Sequence, residues 1–407
     1  MSTQTEKRPT HELRPGRLRA LGLATLGLAV GFWAWGLLSP LAPMYRELLT
    51  LTPFEVSVLV AVPVILGSLL RIPLGALTDR YGGRPVLAVA LALTAVPVLG
   101  LTVVETYPLL LAVAFALGLG GAVFAVGIPF VNAWFPPHQR GFALGVYGVG
   151  NAGTAIAAFT APGMVDILGR AGGFVLVAAA LLITAVAIAL LGRDSPAWTP
   201  ATVPFTRRML DALRLRTAID LAALYAITFG GFVAFGVYLP TFLEDVYALA
   251  TADAAARAGG FIVLATVARP VGGALADRYG GEQVLRVAFA VVAAGAVVAA
   301  FEPPIALATV AFLSMAAALG TGNGAVFGLL GTRIPAPQVG SVTGLVGAAG
   351  GLGGFLPPIV MGLVREATGS YAIGLMLLSS VALAGLVHTW WRFIIAERLG
   401  LSETSSS

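Results

Sequence analysis

Residues 71–83 read R-I-P-L-G-A-L-T-D-R-Y-G-G, and residues 269–281 read R-P-V-G-G-A-L-A-D-R-Y-G-G. The two stretches agree at nine of thirteen positions and lie 198 residues apart, about half of the 407-residue chain. In each copy an arginine, Arg71 or Arg269, stands eight residues before an aspartate that closes a long apolar run. The repeat predicts a chain built from two similar halves.

The composition places both stretches in a membrane protein. The chain is 58% hydrophobic and 11% charged, whereas a soluble chain carries about 25% charged residues. Apolar runs of about 20 residues recur along it, each long enough to cross a bilayer core of about 30 Å. They predict an all-α integral membrane protein with twelve transmembrane helices in two pseudo-symmetric six-helix halves, at 18–43, 54–78, 85–104, 108–134, 140–166, 171–192, 219–245, 255–277, 284–301, 305–330, 338–364 and 370–394.

A polar, basic segment divides the two halves. The predicted parts are an N-tail (1–17), a first half (18–192), a linker (193–218), a second half (219–394) and a C-tail (395–407). If the N-terminus is cytoplasmic, 18 of the 24 Lys and Arg lie on the cytoplasmic side, four lie outside and two lie within spans. Because positive residues collect on the cytoplasmic side, we expect a multi-pass protein of the inner (plasma) membrane with both termini and the linker cytoplasmic.

Several classes of function find no support in the sequence. The chain has no cysteine, and its three histidines lack metal-ligand spacing, so neither a metal site nor a cofactor is predicted. The net charge of +5 follows the topology and does not indicate nucleic acid. An enzyme would need a nucleophile, a catalytic dyad or a metal cluster, and the sequence shows no such constellation. A sensor would need an appended soluble domain, and the longest polar segment is only a linker. The expected partners are membrane lipid and a small solute.

The two arginines are the first candidates for a binding site. Arg71 lies about 12 Å along its helix from Asp79, at about 1.5 Å per residue, and therefore near mid-membrane. A charge there costs about 3 kcal/mol and is tolerated when it faces the bundle interior. Since the spans contain no obvious carboxylate partner, we expect Arg71 and Arg269 to bind a small anion with their planar forks of donors. The alternative is that each arginine reaches the membrane surface or pairs structurally.

The predicted turn between helices 2 and 3 carries a second signal, Gly75-Ala-Leu-Thr-Asp79-Arg80-Tyr-Gly-Gly-Arg84. This stretch resembles the loop signature of the major facilitator superfamily. Asp79 could bind a helix N-terminus or Arg84 in one conformation and release it in the other. The predicted conformational latch comprises Asp79, Arg80, Arg84 and Asp277, although Glu282 stands where the second copy would repeat Arg84. The alternative is an ordinary helix-ending turn.

Two glycine-rich runs stand at matching places in the halves. Residues 145–153 read G-V-Y-G-V-G-N-A-G in helix 5, and residues 344–354 read G-L-V-G-A-A-G-G-L-G-G in helix 11. Helices without side chains at their contacts approach closely, which predicts a rocking seam with hinge glycines Gly145, Gly150, Gly153, Gly350 and Gly354. Asn151 interrupts the first run with an amide that could donate to an anion or form a structural hydrogen bond.

These stretches together resemble the nitrate/nitrite porter family of the major facilitator superfamily over essentially the whole chain. The resemblance also rests on Phe32-Trp33-Ala-Trp35 in helix 1 and on G-T-G-N-G-A-V-F at 320–327 in helix 10. It departs at Phe124-Ala-Val-Gly127, where the family carries serines after Phe-Ala.

The resemblance implies a secondary transporter, active as a monomer, that moves nitrate and/or nitrite by alternating access. It implies these substrate-binding residues: Arg71, Arg269, Asn151, Tyr225, Phe229, Phe124 and Asn323. Aromatic walls and planar guanidinium groups suit a flat anion. Two unpaired arginines should switch slowly without an anion, which favours exchange of nitrate for nitrite. Proton-coupled nitrate uptake, or transport of another small anion such as cyanate, remains the alternative.

Overall fold

The computed structural model describes residues 16–135, 143–144, 146–196, 198–200, 205–334 and 339–395. Within these ranges the chain forms helices and turns, and no strand. We number the membrane helices in chain order: α1 Arg17–Leu49, α2 Pro53–Tyr81, α3 Gly83–Gly100, α4 Tyr107–Asn132, α5 and α6 within Val146–Leu191, α7 Arg216–Tyr247, α8 Thr251–Tyr279, α9 Gly281–Ala300, α10 Ile305–Arg333, α11 Ser341–Thr368 and α12 Ala372–Phe393.

The continuous helix Val146–Leu191 accounts for two crossings. Its 46 residues are far more than one crossing needs, and Gly169 adopts φ 70° and ψ 165° inside it. A left-handed φ of this kind favours glycine, which has no Cβ, and it lets the chain turn back between α5 (146–168) and α6 (170–191). The prediction of twelve transmembrane helices is confirmed. A short helix, Phe205–Arg214, stands between the two halves.

Some helices are interrupted near mid-length, and the interruptions lie beside the arginine site. Helix α2 consists of the stretches Pro53–Leu69 and Arg71–Tyr81. Because proline has no N–H, Pro73 cannot donate to the carbonyl of Leu69, four residues earlier, which accounts for the interruption at Leu70. Helix α4 is likewise interrupted at Val123. Arg71 therefore begins the second stretch of its helix.

The halves meet through helices that the internal repeat relates. Helix α2 packs against α11, and α5 packs against α8. Since α8 repeats α2 and α11 repeats α5, the same pair of elements forms both interfaces. Helix α7 packs against Leu38–Leu49 of α1 as a third contact. The arginines of α2 and α8 lie between these interfaces.

Apolar side chains cover the outer surface of the bundle. Examples are Ile183, Val287 and Val310, which are 60% exposed or more. A soluble protein would not expose so much apolar surface, so these side chains identify a multi-pass membrane protein. We call the end of the bundle where α1 begins and α12 ends the terminal end, and the opposite end the distal end.

Candidate functional site

Arg71 is buried between the halves. Its side chain is 5% exposed, and its Nη1 donates a hydrogen bond of 2.7 Å to the carbonyl oxygen of Gly347 on α11. Its Nη2 lies 3.5 Å from the carbonyl oxygen of Gly121 on α4. The guanidinium of the first half is thus bonded directly to the backbone of the second half.

Two aromatic rings contact the same guanidinium. Its Cζ lies 5.2 Å from the ring centroid of Phe124 and 5.6 Å from that of Phe229. Phe124 belongs to α4 and Phe229 to α7, so one ring comes from each half. Both distances are within the range of a cation–π interaction, which is strongest where water is excluded.

Arg269 reaches the same ring from α8. Its Cζ lies 5.1 Å from the ring centroid of Phe229 and 5.8 Å from that of Phe232. Its Nη2 donates a hydrogen bond of 2.9 Å to the hydroxyl of Tyr225. The rings of Tyr225 and Phe229 stack with centroids 5.0 Å apart and planes 2° apart. Phe229 is therefore shared by both arginines. We call Arg71, Arg269, Tyr225, Phe229 and Phe124 the clamp.

The clamp carries two positive charges without an acidic partner. Among the described residues, no carboxylate forms an ion pair with Arg71 or Arg269. The Nε of Arg71 is buried and has no hydrogen-bond partner in the described part of the chain. Backbone carbonyls and rings compensate a buried charge only in part. The chemistry of the clamp therefore favours a small anion with several acceptor oxygens.

The two predicted asparagines are buried and have unused polar atoms. Asn151 donates from Nδ2 to the carbonyl oxygen of Gly148 at 2.8 Å, and its Oδ1 has no described partner. Asn323 is 1% exposed, and neither polar atom of its side chain has a described partner. A Cβ at the neighbouring Gly324 would lie 2.1 Å from the carbonyl oxygen of Arg269. The binding roles of both amides remain predictions.

The glycines of α11 provide the space that the clamp occupies. A Cβ at Gly350 would lie 2.3 Å from Cδ1 of Tyr225 and 3.1 Å from Cδ1 of Phe229. A Cβ at Gly351 would lie 3.1 Å from Nη1 of Arg71. Contacts this short do not occur for real side chains, or occur only when the neighbour moves. The glycine run therefore lets α11 cover the clamp closely.

The hinge glycines occupy tight contacts within each half. A Cβ at Gly153 would lie 2.0 Å from the carbonyl oxygen of Ala29 on α1, and Gly150 faces α1 in the same way. Gly354 packs against Val233 on α7. Gly145 lies outside the described residues. These positions explain the glycines as close packing, and their hinge role remains a prediction.

The predicted latch residues lie at the terminal end. Arg80 stacks on Tyr81 with its Cζ 5.3 Å from the ring centroid, and Asp79 is half-buried at the end of α2. The backbone N–H of Arg84 donates at 3.0 Å to the carboxylate of Asp194, which follows α6. In this conformation Asp194 therefore caps the start of α3.

The second copy of the latch has different partners. Asp277 is exposed. Glu282, at the position that matches Arg84, forms an ion pair of 2.6 Å with Arg333 at the end of α10. The reversed charge at this position thus serves a contact within the second half. Whether the four predicted residues switch between states remains a prediction.

Comparison with known proteins identifies the family. The sequence profile of the Major Facilitator Superfamily matches residues 24–358. The chain is 44% identical over 379 residues to a Mycobacterium tuberculosis protein named probable nitrate/nitrite transporter NarK2, covering 92% of this chain and 96% of that protein. It is 39% identical over 373 residues to the nitrite extrusion protein of Bacillus subtilis, covering 92% and 94%. The chain belongs to the nitrate/nitrite porter family of the major facilitator superfamily. The resemblance on which the sequence prediction rested is confirmed.

Solved structures confirm the fold of this porter. A bacterial homologue of the human lysosomal transporter Spinster, in an inward-facing and occupied conformation, superposes with a TM-score of 0.76. The match covers 97% of this chain and 99% of that one, at 16% sequence identity. At this low identity the similarity shows the fold alone. That fold is the predicted one, two six-helix halves that span the membrane.

Further contacts of the porter's site were not predicted. Phe327, within the G-T-G-N-G-A-V-F stretch, meets Tyr225 edge-on with ring centroids 5.1 Å apart. Phe232 and Gly347 contact the arginines as described above. Phe327 ends a stretch already singled out, and Phe232 stands three residues after the predicted Phe229, so their aromatic character was a usable signal. A glycine that acts through its carbonyl gives no such signal.

The halves of the porter also close against each other at the distal end. Arg46 on α1 forms an ion pair with Asp245 on α7. The hydroxyl of Tyr371 donates to the same carboxylate at 2.7 Å. Ser39 donates to the carbonyl oxygen of Val237 at 2.7 Å. These contacts join α1 and the start of α12 to α7, and we call Arg46, Asp245 and Tyr371 the distal lock.

Removing the charge of the distal lock should open that end. Asp245 is 10% exposed and Arg46 is 38% exposed, so we expect Asp245→Asn to remove about 1–2 kcal/mol of closing free energy. The chain has no cysteine, so a single cysteine at Thr241, which lines a cavity of about 440 Å³ beside the lock, reports opening. Maleimide labelling of Thr241→Cys should become about tenfold faster in the Asp245→Asn background.

A matched control is available at the same end. Asp253 pairs with Arg257 within α8 at 3.2 Å, so Asp253→Asn removes a carboxylate without separating the halves. It should leave the labelling rate unchanged. Equal labelling in both variants would show that the distal lock does not hold this end closed.

Proposed function

We propose that this porter moves nitrate and nitrite across the inner (plasma) membrane, in exchange for each other, by alternating access. The observation that carries the proposal is the clamp: two guanidinium groups share the Phe229 ring and have no described carboxylate partner. The relatives' names, which refer to nitrate and nitrite transport, support the same substrates.

The clamp suits a flat anion with one negative charge. A guanidinium group presents its donors in a plane and can bind two oxygens of an oxyanion at once. The ring centroids of Phe124 and Phe229 lie 5.2 and 5.6 Å from Cζ of Arg71, and the edge of a ring is positive while its face is negative. The two rings and the Gly347 carbonyl already contact the Arg71 guanidinium, which favours a small anion over a bulky one. Nitrate and nitrite satisfy both the charge and the shape.

The bond between Arg71 and Gly347 supports exchange. This bond of 2.7 Å joins α2 of one half to α11 of the other, and rocking of the halves must break it. An anion offers the same donor an alternative acceptor and offsets part of the charge of both arginines. Switching should therefore be slow without an anion and fast with one, which couples the exit of one anion to the entry of the next.

The orientation follows from the charge distribution. With the terminal end in the cytoplasm, the topology predicted from the sequence puts 18 of the 24 Lys and Arg on that side and four on the other. The distal lock then closes the outside, and the anion reaches the clamp from the cytoplasm. The clamp is complete within one chain, which supports function as a monomer, and the apolar outer surface supports direct contact with lipid.

Uptake into proteoliposomes tests the proposal. Wild-type protein is reconstituted with nitrite inside or with no transportable anion inside, and entry of external nitrate is followed. We expect initial nitrate uptake to be at least about tenfold faster with internal nitrite, because the alternative step requires return of a clamp with two unneutralised charges.

Two outcomes would count against the proposal in different ways. Equal uptake without internal nitrite, driven by an imposed pH gradient, would replace exchange by proton-coupled uptake and leave the substrate intact. No uptake of nitrate or nitrite under any condition would overturn the substrate itself. Cyanate and phosphate, tested as competitors, would then identify which anion the clamp accepts.

A further inference from the structure

Tyr147 on α5 contacts the clamp from behind. The side chain is 1% exposed, and its hydroxyl donates to the carbonyl oxygen of Phe124 at 3.0 Å, with the carbonyl oxygen of Val123 at 3.3 Å. Val123 is the residue at which α4 is interrupted. The hydroxyl therefore contacts the backbone of α4 where the helix is interrupted.

The ring of Tyr147 makes a second contact with the same residue. It stacks on the ring of Phe124 with centroids 6.0 Å apart and planes 27° apart. The Phe124 ring also contacts Arg71, whose Cζ lies 5.2 Å from the ring centroid. A single side chain thus fixes both the backbone and the ring of the residue that walls the Arg71 guanidinium.

Gly127 makes this arrangement possible. A Cβ at Gly127 would lie 2.2 Å from Cζ and 2.3 Å from the hydroxyl oxygen of Tyr147. Ring atoms cannot move aside as the end of a flexible side chain can. Any larger residue at 127 would therefore displace the tyrosine, so the two positions fit as a pair.

We propose that Tyr147 is a positioning residue that sets the affinity of the clamp for its anion by orienting Phe124, with Gly127 supplying the space. The proposal rests on the proposed function and adds a residue pair to it. The physical reason is local: Phe124 starts the second stretch of α4, directly after the interruption at Val123. The Tyr147 hydroxyl and ring add a restraint there.

The exchange kinetics of Tyr147→Phe test the hydroxyl. The variant keeps the stacked ring and loses one buried hydrogen bond, so we expect the KM for nitrate to rise about three- to tenfold. Since the variant does not alter the contacts between the two halves that rocking must break, the maximal rate of exchange should stay within about twofold of wild type.

Tyr107→Phe is the matched control. Tyr107 begins α4, the helix that carries Phe124. Its hydroxyl also donates at 3.0 Å to a backbone carbonyl, that of Glu55 on α2. This bond lies at the distal end, away from the arginines. The control should lower the melting temperature by a similar amount and leave the KM for nitrate unchanged, which separates positioning from stability.

The pair is tested with Gly127→Ala alone and combined with Tyr147→Leu. The single variant should lower the melting temperature and raise the KM, because the added Cβ displaces the ring. In the double variant the shorter leucine should restore most of the melting temperature, while the KM remains raised because Phe124 still lacks its restraint. Recovery of both quantities together would mean that the pair acts only through stability and would overturn the proposal.

The experiments distinguish failure of the positioning role from failure of the proposed function. If wild type exchanges nitrate and Tyr147→Phe has the wild-type KM, the positioning role is wrong and the proposed function stands. If wild type neither binds nor exchanges nitrate, the proposed function is wrong, and the positioning role fails with it.

Discussion

Nitrate binding to the purified porter is expected to weaken at least about a hundredfold in either Arg71→Lys or Arg269→Lys. Lysine keeps the positive charge but loses the planar fork and most of the stacking on Phe229. Loss of two charge-assisted hydrogen bonds, each contributing about 1.5 kcal/mol, corresponds to about a hundredfold in the dissociation constant. Isothermal titration with nitrate measures the effect directly.

The charge-preserving control for both variants is Arg257→Lys. Arg257 is exposed at the distal end and pairs with Asp253 within one helix, so this change should leave nitrate affinity as in wild type. Thermal melting in detergent establishes that all three variants are folded. Wild-type affinity in a folded Arg71→Lys or Arg269→Lys variant would mean that the clamp does not bind the anion.

Gly350→Ala is expected to weaken nitrate binding at least about tenfold. The added Cβ would lie 2.3 Å from Cδ1 and 2.6 Å from Cε1 of Tyr225, so the tyrosine ring must shift. Its hydroxyl accepts a hydrogen bond from Arg269, and its ring stacks on Phe229. Overpacking of this kind costs about 1–3 kcal/mol. It disturbs the contacts of Tyr225 with Arg269 and Phe229, and nitrate affinity should fall as a result.

The matched control is Gly344→Ala, in the same glycine run of α11. A Cβ at Gly344 meets no atom within 4 Å, so this change should leave affinity and melting temperature near their wild-type values. If Gly350→Ala binds nitrate as wild type does, the close approach of α11 to Tyr225 is not needed for binding.

Most of the fold could be predicted because a bilayer imposes its thickness on consecutive residues. Each crossing requires about 20 apolar residues in a row, and that pattern is readable without knowing any tertiary contact. The 198-residue repeat then placed Arg71 and Arg269 at equivalent positions. The structure places both arginines against the Phe229 ring.

The site could be predicted only in part. The structure brings five of the seven predicted binding residues together as the clamp. The repeat singled out the two arginines, and the family resemblance implied the three aromatic residues. The two asparagines, Asn151 and Asn323, are buried with unused polar atoms. Their place in the runs was readable, but the partners of their amides depend on how the helices rotate, which the sequence does not specify.

Partners far apart along the chain needed the tertiary structure. Gly347 accepts from Arg71 across 276 residues, and Asp194 caps the start of α3 across 110 residues. The first partner is a backbone carbonyl, which every residue carries, and the second is an acid in a polar segment where acids are ordinary. Neither has a local pattern that could have distinguished it.

Hydrophobic length and the internal repeat were enough to establish the number of helices, the two halves and the arginine pair, because these features are encoded in residues near one another or at one constant offset. Only the packed structure decided that Gly127 accommodates the ring of Tyr147, that Arg71 bonds to the opposite half, and that Arg46 and Asp245 close the distal end. These contacts depend on the rotation and depth of one helix against another. Close packing sets both, and it involves many weak contacts at once.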